Sequence, residues 1–442
     1  MSALARYFNH LGKRVGGYDR TSSKLTNALK NEGIYITFHS DHTNIISPFD
    51  VKEQTLVVYT PAIAYTHPHM QYFRENGFEM MKRAQVLGLI SDDKKAIGVA
   101  GTHGKTTVST IVAHILKQSS LDCNAFLGGI SNNYHSNFLL SQKSQWMVLE
   151  ADEFDRSFLN LHPQIAVVTS MDADHLDIYG HKKELERTFH QYVSQVNTGG
   201  MLVYKKGLSF DFSQGIAYSY ALDDMADFDG HNLRLEEGFY VFDLETPWGT
   251  IKDVKFSYPG RVNVENAVAA SAVALLCGVQ EDELRKALGC FKGVWRRFDY
   301  QIRTNSVVFI DDYAHHPSEL KATIMSVREL YPHKKITAVF QPHLYSRTRD
   351  FVDEFAQSLN LLDQLYLLDI YPAREKPIEG VTSQIILDRV TVPAQICSGD
   401  DLLTLLDNQK LEVLLTLGAG DINKLVDPLR VKLLKDIACG KK

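Results

Sequence analysis

The sequence predicts an α/β chain of three domains, and three observations carry that prediction. A length of 442 residues exceeds what one hydrophobic core fills and suggests about three units. Short apolar strand-like runs alternate with helical stretches over most of the chain, the pattern of mostly parallel sheets covered by helices. Polar, ligand-type residues cluster directly after successive strand-like runs, where the ligands of such sheets sit.

Residues 1–91 read as a small α/β domain. Residues 1–11 form a helix with no strand before it, and 34–38 and 56–59 are strands. The polar run at 91–95 marks a boundary. The domain 92–298 opens with a buried strand at 96–100, a glycine loop, and a helix from 108. Strands follow at 146–149 and 165–169, then a helix at 182–196. Between 234 and 257 the period changes to two, at 240–244 and 251–256, so a small antiparallel insertion is expected around a turn at 247–249. A helix over about 263–276 comes next. The third domain, 299–442, alternates helices with strands at 307–310, 336–340, 365–368 and 411–415.

Composition narrows the function classes. The chain is 44% hydrophobic and 23% charged with a net charge of −6, an ordinary globular composition. There is no basic run to bind nucleic acid. Cys123, Cys277, Cys290, Cys397 and Cys439 are odd in number and scattered, which indicates neither a disulfide framework nor a zinc site and fits a reducing cytoplasm. The longest apolar stretch, 267–279, is too short to span a bilayer, and the N-terminus has no apolar signal core.

The run from Gly98 to Thr107 is the most specific signal. Gly101 and Gly104 let backbone N–H groups approach phosphates, Lys105 neutralises their charge, the Thr106 hydroxyl suits Mg2+, and a helix N-terminus follows. The spacing is compressed: the commonest phosphate-loop pattern needs glycine at position 99, where Val99 stands. Glu150, Asp152, Glu153 and Asp155 follow the next strand, as a magnesium site would require or as a solvated acidic turn would. Asp172, Asp174 and Asp177 bracket His175 after the strand at 165–169. Asn263 is a reasonable N-cap, whereas Asn266 is a poor helix former one turn later. Clusters at 295–298, 311–317 and 341–349, rich in His, Arg and Asp, suggest an acidic ligand at the third domain.

These motifs resemble the Mur ligases, the ATP-dependent amino-acid ligases of peptidoglycan precursor and cell-wall synthesis. The resemblance rests on GTHGKTT (101–107), EADEFDRSFL (150–159), DADHLDIYG (172–180), PGRVNVENA (259–267), DDYAHHPSE (311–319) and FQPHLYSRTRD (340–350). The last two motifs are those of the member that joins L-alanine to UDP-N-acetylmuramate. The resemblance implies a UDP-binding first domain, a central P-loop ATPase-like domain and a Rossmann-like third domain for the amino acid. It implies ATP and Mg2+ as cofactors, UDP-N-acetylmuramate and L-alanine as substrates, and a cytoplasmic monomer or weak homodimer.

By the same resemblance Gly101, Thr102, His103, Gly104, Lys105, Thr106 and Thr107 hold ATP phosphates. Asn263, Asn266, Arg297 and Asp312 lie near the nucleotide. Thr106, Glu150 and His175 coordinate magnesium. His315, His343 and Arg347 meet the muramoyl and alanine groups, and Lys105, His175 and Arg347 are the expected catalytic residues. His190 stands where some members carry a carbamylated lysine, so that feature is not carried over. Members open with a strand and a glycine loop for the UDP pyrophosphate, whereas this chain starts at the following helix. The expectation is a start assigned too late, with a truncated Rossmann-like first domain and an exposed sheet edge if the short chain is real. Two other readings share the nucleotide loop: a muropeptide-recycling ligase and a non-catalytic nucleotide-binding regulator.

Overall fold

The computed structural model describes residues 1–172, 179, 181–236, 239–373, 375–407 and 409–438. The chain divides into two compact units. The first holds Met1–Ser257 with Glu265–Lys292, the second Tyr258–Val264 with Gly293–Lys442.

Within the first unit, residues 1–91 form two separate two-stranded parallel sheets. Gly16–Tyr18 pairs with Tyr35–Thr37, and Leu56–Tyr59 with Glu79–Lys82. The strand expected at 34–38 is thus only three residues long. Its partner escapes sequence reading because Gly16 and Gly17 are poor strand formers, and Glu79–Lys82 because its ends are charged. The opening helix, Ser2–His10, is bound into the main core rather than loose. Ala3 and Leu4 belong to the same buried cluster as Ala96, Phe126 and Phe158. The Tyr7 ring lies 5.6 Å from that of Phe126 and 6.2 Å from that of Phe138.

A ten-stranded sheet dominates the unit. Its order runs Ser136–Leu139, Asn124–Ser131, Trp146–Glu150, Lys95–Ala100, Ile165–Val168, Met201–Lys205, Ile216–Leu222, Phe228–Glu236, Phe239–Thr246, Gly249–Phe256. The central strand Lys95–Ala100 pairs in parallel on both sides, and Ala96, Ile97, Val99 and Ala100 are wholly buried. That two-sided burial is why the strand is continuously apolar instead of alternating.

The antiparallel segment expected around 240–256 exists but is not a separate insertion. Phe228–Glu236 pairs in parallel with Ile216–Leu222 and antiparallel with Phe239–Thr246, so the hairpin extends the main sheet. The period of two reports an edge with one solvated face, and periodicity does not tell which sheet that edge belongs to.

The second unit carries a six-stranded sheet in the order Asp299–Arg303, Val308–Asp312, Val413–Leu417, Ile336–Phe340, Gln364–Leu367, Ala394–Ile396. All neighbours pair in parallel except the first two strands. The strand expected at 411–415 is shifted to Val413–Leu417 and enters between Val308–Asp312 and Ile336–Phe340. Three parallel strands therefore end together at one edge, the place such sheets use for ligands.

The helix expected at 263–276 spans Arg261–Cys277. Asn263 therefore lies inside its first turn and is not the N-cap. Its side-chain amide donates instead to the Pro259 carbonyl at 2.6 Å.

Candidate active site

The strand Lys95–Ala100 ends at Gly101, whose φ of +139° belongs to glycine. A Cβ here would come within 2.0 Å of Thr169 Oγ1. The loop turns through Thr102 and His103, and Gly104 at φ +83° caps the helix Lys105–Gln118. Thr169 and Ser170, directly after the next strand, brace the loop from the side. Thr169 Oγ1 donates to the carbonyls of Ala100 (3.2 Å) and His103. Ser170 Oγ accepts from the His103 N–H at 2.8 Å and pairs with Thr102 Oγ1 at 2.9 Å. These bonds fix the carbonyls and leave a glycine loop at a helix N-terminus, a ready anion seat. Asn266 belongs to the same place: its Oδ1 lies 3.0 Å from where a Cβ of Gly104 would stand.

Lys105 is folded into this seat. Its ammonium donates to the Gly101 carbonyl at 2.5 Å and to Glu153 Oε1 at 2.8 Å, and Glu153 Oε2 lies 2.7 Å away. Burial pushes the Lys105 pKa down, and the carboxylates of Glu153, Asp152 and Glu150 outweigh it and hold it raised. The four acids at the end of Trp146–Glu150 and just after it thus divide. Glu153 is fully buried. Asp155 pairs outward with Lys82 at 2.9 Å. Asp155 and Arg156 both adopt left-handed backbone (φ +54°), which turns the chain so that Glu153 points at the loop.

Glu150 has its own niche. A Cβ on Gly128 would come within 2.1 Å of Glu150 Oε2 and 2.3 Å of Oε1. The buried Oε2 has no hydrogen-bond partner among the described residues. A buried carboxylate oxygen left unpaired costs free energy unless a cation or donor completes it.

In the first unit, then, Gly101, Thr102, His103, Gly104, Lys105, Thr106, Thr107, Glu150 and Asn266 converge. His175 lies outside the described residues. The remaining candidates belong to the second unit.

There Asp312 is held by the N–H groups of Phe298 and Ala314 and by the Thr323 hydroxyl, at 2.9–3.1 Å. Burial pushes its pKa up to about 6, against the pull of Arg297. Arg297 lies over the Tyr313 ring and 3.8 Å from Glu319, which in turn accepts from the backbone N–H of His315 and His316. The His315 ring is 5.6 Å from His343, and His343 stacks on Tyr371 at 5.7 Å. Arg347 stands on the short helix Tyr345–Asp350 that follows His343.

Sequence reading did not single out Thr169, Ser170, Gly128 or Tyr371. Only the first pair had a signal, two hydroxyls at a strand end beside a phosphate loop. Gly128 and Tyr371 are set by contacts between segments distant in sequence.

Three family profiles cover almost the whole chain. "Mur ligase family, catalytic domain" matches residues 1–95, "Mur ligase middle domain" 99–274, and "Mur ligase, glutamate ligase domain" 296–420. Among curated relatives, the UDP-N-acetylmuramate–L-alanine ligase of Parabacteroides distasonis is 51% identical over 441 residues, 99% of this chain and 96% of that protein. The protein of the same name from Phocaeicola vulgatus is 51% identical over 431 residues, 96% of this chain and 94% of its own length. Among solved structures, the UDP-N-acetylmuramate–alanine ligase of Thermotoga maritima superposes with a TM-score of 0.85 at 24% identity, covering 99% of this chain and 97% of its own. The murein peptide ligase of Psychrobacter arcticus gives 0.70 at 20% identity over 98% and 96%. At those identities the structures speak for the fold alone, a three-domain arrangement of mostly parallel sheets flanked by helices, and the curated relatives speak for the lineage. The chain belongs to the Mur ligase family.

Proposed function

We infer that this chain is an ATP-dependent ligase that joins L-alanine to the carboxylate of UDP-N-acetylmuramate, the first addition to the peptide stem of peptidoglycan precursors. The observation that carries the reading is the braced glycine loop with its enclosed Lys105 beside an acidic strand end, in a chain half identical over almost its full length to ligases of that name.

The reaction has two displacements. A muramoyl carboxylate oxygen attacks the γ-phosphorus of ATP, the bond to the β-phosphate oxygen breaks, and ADP departs from an acyl phosphate. The alanine nitrogen then attacks the acyl carbon, sheds a proton, and phosphate leaves with its oxygen. Neither displacement needs a protein nucleophile, so positioning and charge neutralisation dominate. The N–H groups of the loop from Gly101 to Thr107 receive the phosphates, and Lys105 takes the charge that builds on the transferred group. Asn263, Asn266, Arg297 and Asp312 are assigned to the nucleotide. His315, His343 and Arg347 are assigned to the muramoyl and alanine groups. The Arg347 guanidinium suits a carboxylate held bidentately.

The residues present fit a divalent cation, because Glu150 offers a buried oxygen, unpaired among the described residues, in a niche kept open by Gly128. Thr106, Glu150 and His175 would hold Mg2+, which when bound neutralises triphosphate charge. A cytoplasmic setting follows from substrates drawn from the ATP and sugar-nucleotide pools. No helix among the described residues is long and apolar enough to cross a membrane.

The test is release of phosphate from ATP in the presence of UDP-N-acetylmuramate and L-alanine. The expected outcome is turnover that needs both. Turnover with a muropeptide tripeptide in place of L-alanine would favour a recycling ligase, and none with either would favour a regulator.

A further inference from the structure

Glu153 is buried, charged and outside the chemistry assigned above. An ammonium has three N–H donors. In Lys105 two of them are placed, on the Gly101 carbonyl at 2.5 Å and on Glu153 Oε1 at 2.8 Å, and Glu153 Oε2 lies 2.7 Å from the nitrogen in an ionic contact. The side-chain exposures of Lys105 and Glu153 are 13% and 0%, so little water is at hand to replace either partner.

The placement of Glu153 is built, not incidental. The Tyr179 hydroxyl donates to its carbonyl at 2.5 Å, and the Arg156 N–H closes a turn onto the same carbonyl at 2.9 Å. Two consecutive left-handed residues, Asp155 and Arg156, complete that turn, a conformation that costs non-glycine residues free energy. Their side chains are tied down by Lys82 and Glu184, each at 2.9 Å.

From this geometry we propose that Glu153 is the resident counter-ion of Lys105, occupying the lysine until a nucleoside triphosphate displaces it. A phosphate brought to Lys105 meets an ammonium already engaged by both oxygens of the Glu153 carboxylate. The carboxylate and the phosphate compete for the same donors and repel each other. Glu153 therefore stabilises the nucleotide-free loop, where a buried ammonium would otherwise keep only the Gly101 carbonyl, and lowers nucleotide affinity in return. It is a positioning residue, acting through Lys105. The inference rests on the reading of residues 101–107 as the ATP loop.

The experiment uses the full-length chain, with binding of a non-hydrolysable ATP analogue and Mg2+ measured by calorimetry and melting temperature measured with and without the analogue. Binding by the wild-type chain checks the ATP-loop reading by itself, and its absence would end that reading and this one together. Given wild-type binding, Glu153→Gln should lower the melting temperature of the nucleotide-free protein. It should also tighten analogue binding by several-fold to about tenfold, so that the analogue raises the melting temperature more than in wild type. Glu153→Asp, which keeps the charge but withdraws it by one methylene, should move both readouts the same way by less. It decides the matter if Glu153→Gln does not fold. Unchanged or weaker analogue binding in a folded variant would overturn the proposal, since a purely structural role gives no route to tighter binding.

Discussion

A single methyl group tests the acidic niche. Gly128→Ala would drive its Cβ into both oxygens of Glu150, and one of the two must move. Overpacking of this kind costs about 1–3 kcal/mol in stability, yet the larger effect is expected on turnover, because the displaced carboxylate is the one assigned to the cation. Phosphate release should fall about 100-fold or more while the protein still melts cooperatively. Near wild-type turnover would remove Glu150 from the cation site. Lys105→Ala should likewise depress kcat by about 100-fold or more, with a smaller effect on the KM for UDP-N-acetylmuramate, because its charge is needed mainly as the phosphoryl group transfers. Steady-state kinetics separate the two parameters, and an unchanged kcat would refute the role. Lys105 was legible because glycines, lysine and threonines sit at fixed spacing between a strand and a helix. Glu153 was visible only as one of four acids. What separates it from Asp155 is a pair of left-handed residues with ordinary side chains, and nothing in Asp155 or Arg156 announces that conformation in sequence.

The helix Lys105–Gln118 both presents the anion seat of the glycine loop and ties it to the body of the unit. Its residues Thr107 to Leu116 are all buried, which is why its apolar face is broad rather than a stripe. Within it His114 is enclosed, one ring nitrogen 3.0 Å from the Ala287 carbonyl and the other 3.0 Å from the Tyr134 hydroxyl. The Cys290 thiol lies 3.6 Å away. Burial lowers the His114 pKa to about 4 from 6.5, against the opposing bond to Ala287. The unfolded chain takes up this proton before the folded one does. The stability His114 contributes is therefore complete above pH 6.5 and is lost as pH falls from there towards 4. Between pH 7 and 5 the loss is about 2 kcal/mol. His114→Gln should flatten that part of the stability–pH profile, read by chemical denaturation at several pH values. An identical slope in the variant would show that other groups set the acid sensitivity.

Across the whole molecule, strand and helix order were largely readable, because the central strands of both large sheets are buried on two faces and so appear as uninterrupted apolar runs. Less readable were the small sheets of residues 1–91, whose strands carry glycine or charge, and the sheet membership of the hairpin near 240–256, which local period cannot decide. The two compact units should also answer acid differently. In the second, Asp312 has a pKa raised to about 6 from 3.8, chiefly by burial. This is the opposite case to His114. Above pH 6 the fold bears the cost of a buried carboxylate, and as pH falls from 6 towards 3.8 the folded state gains the proton first and stability rises. Between pH 7 and 5 the gain is about 1 kcal/mol. Acidification over that range should therefore lower hydrogen-exchange protection in the helix Lys105–Gln118 and raise it in the strand Val308–Asp312, once intrinsic exchange rates are corrected for pH. Asp312→Asn should abolish the rise in the second unit and leave the fall in the first intact, while His114→Gln should do the reverse. A protection change of the same sign in both units, unaltered by either variant, would mean that neither buried group governs the response.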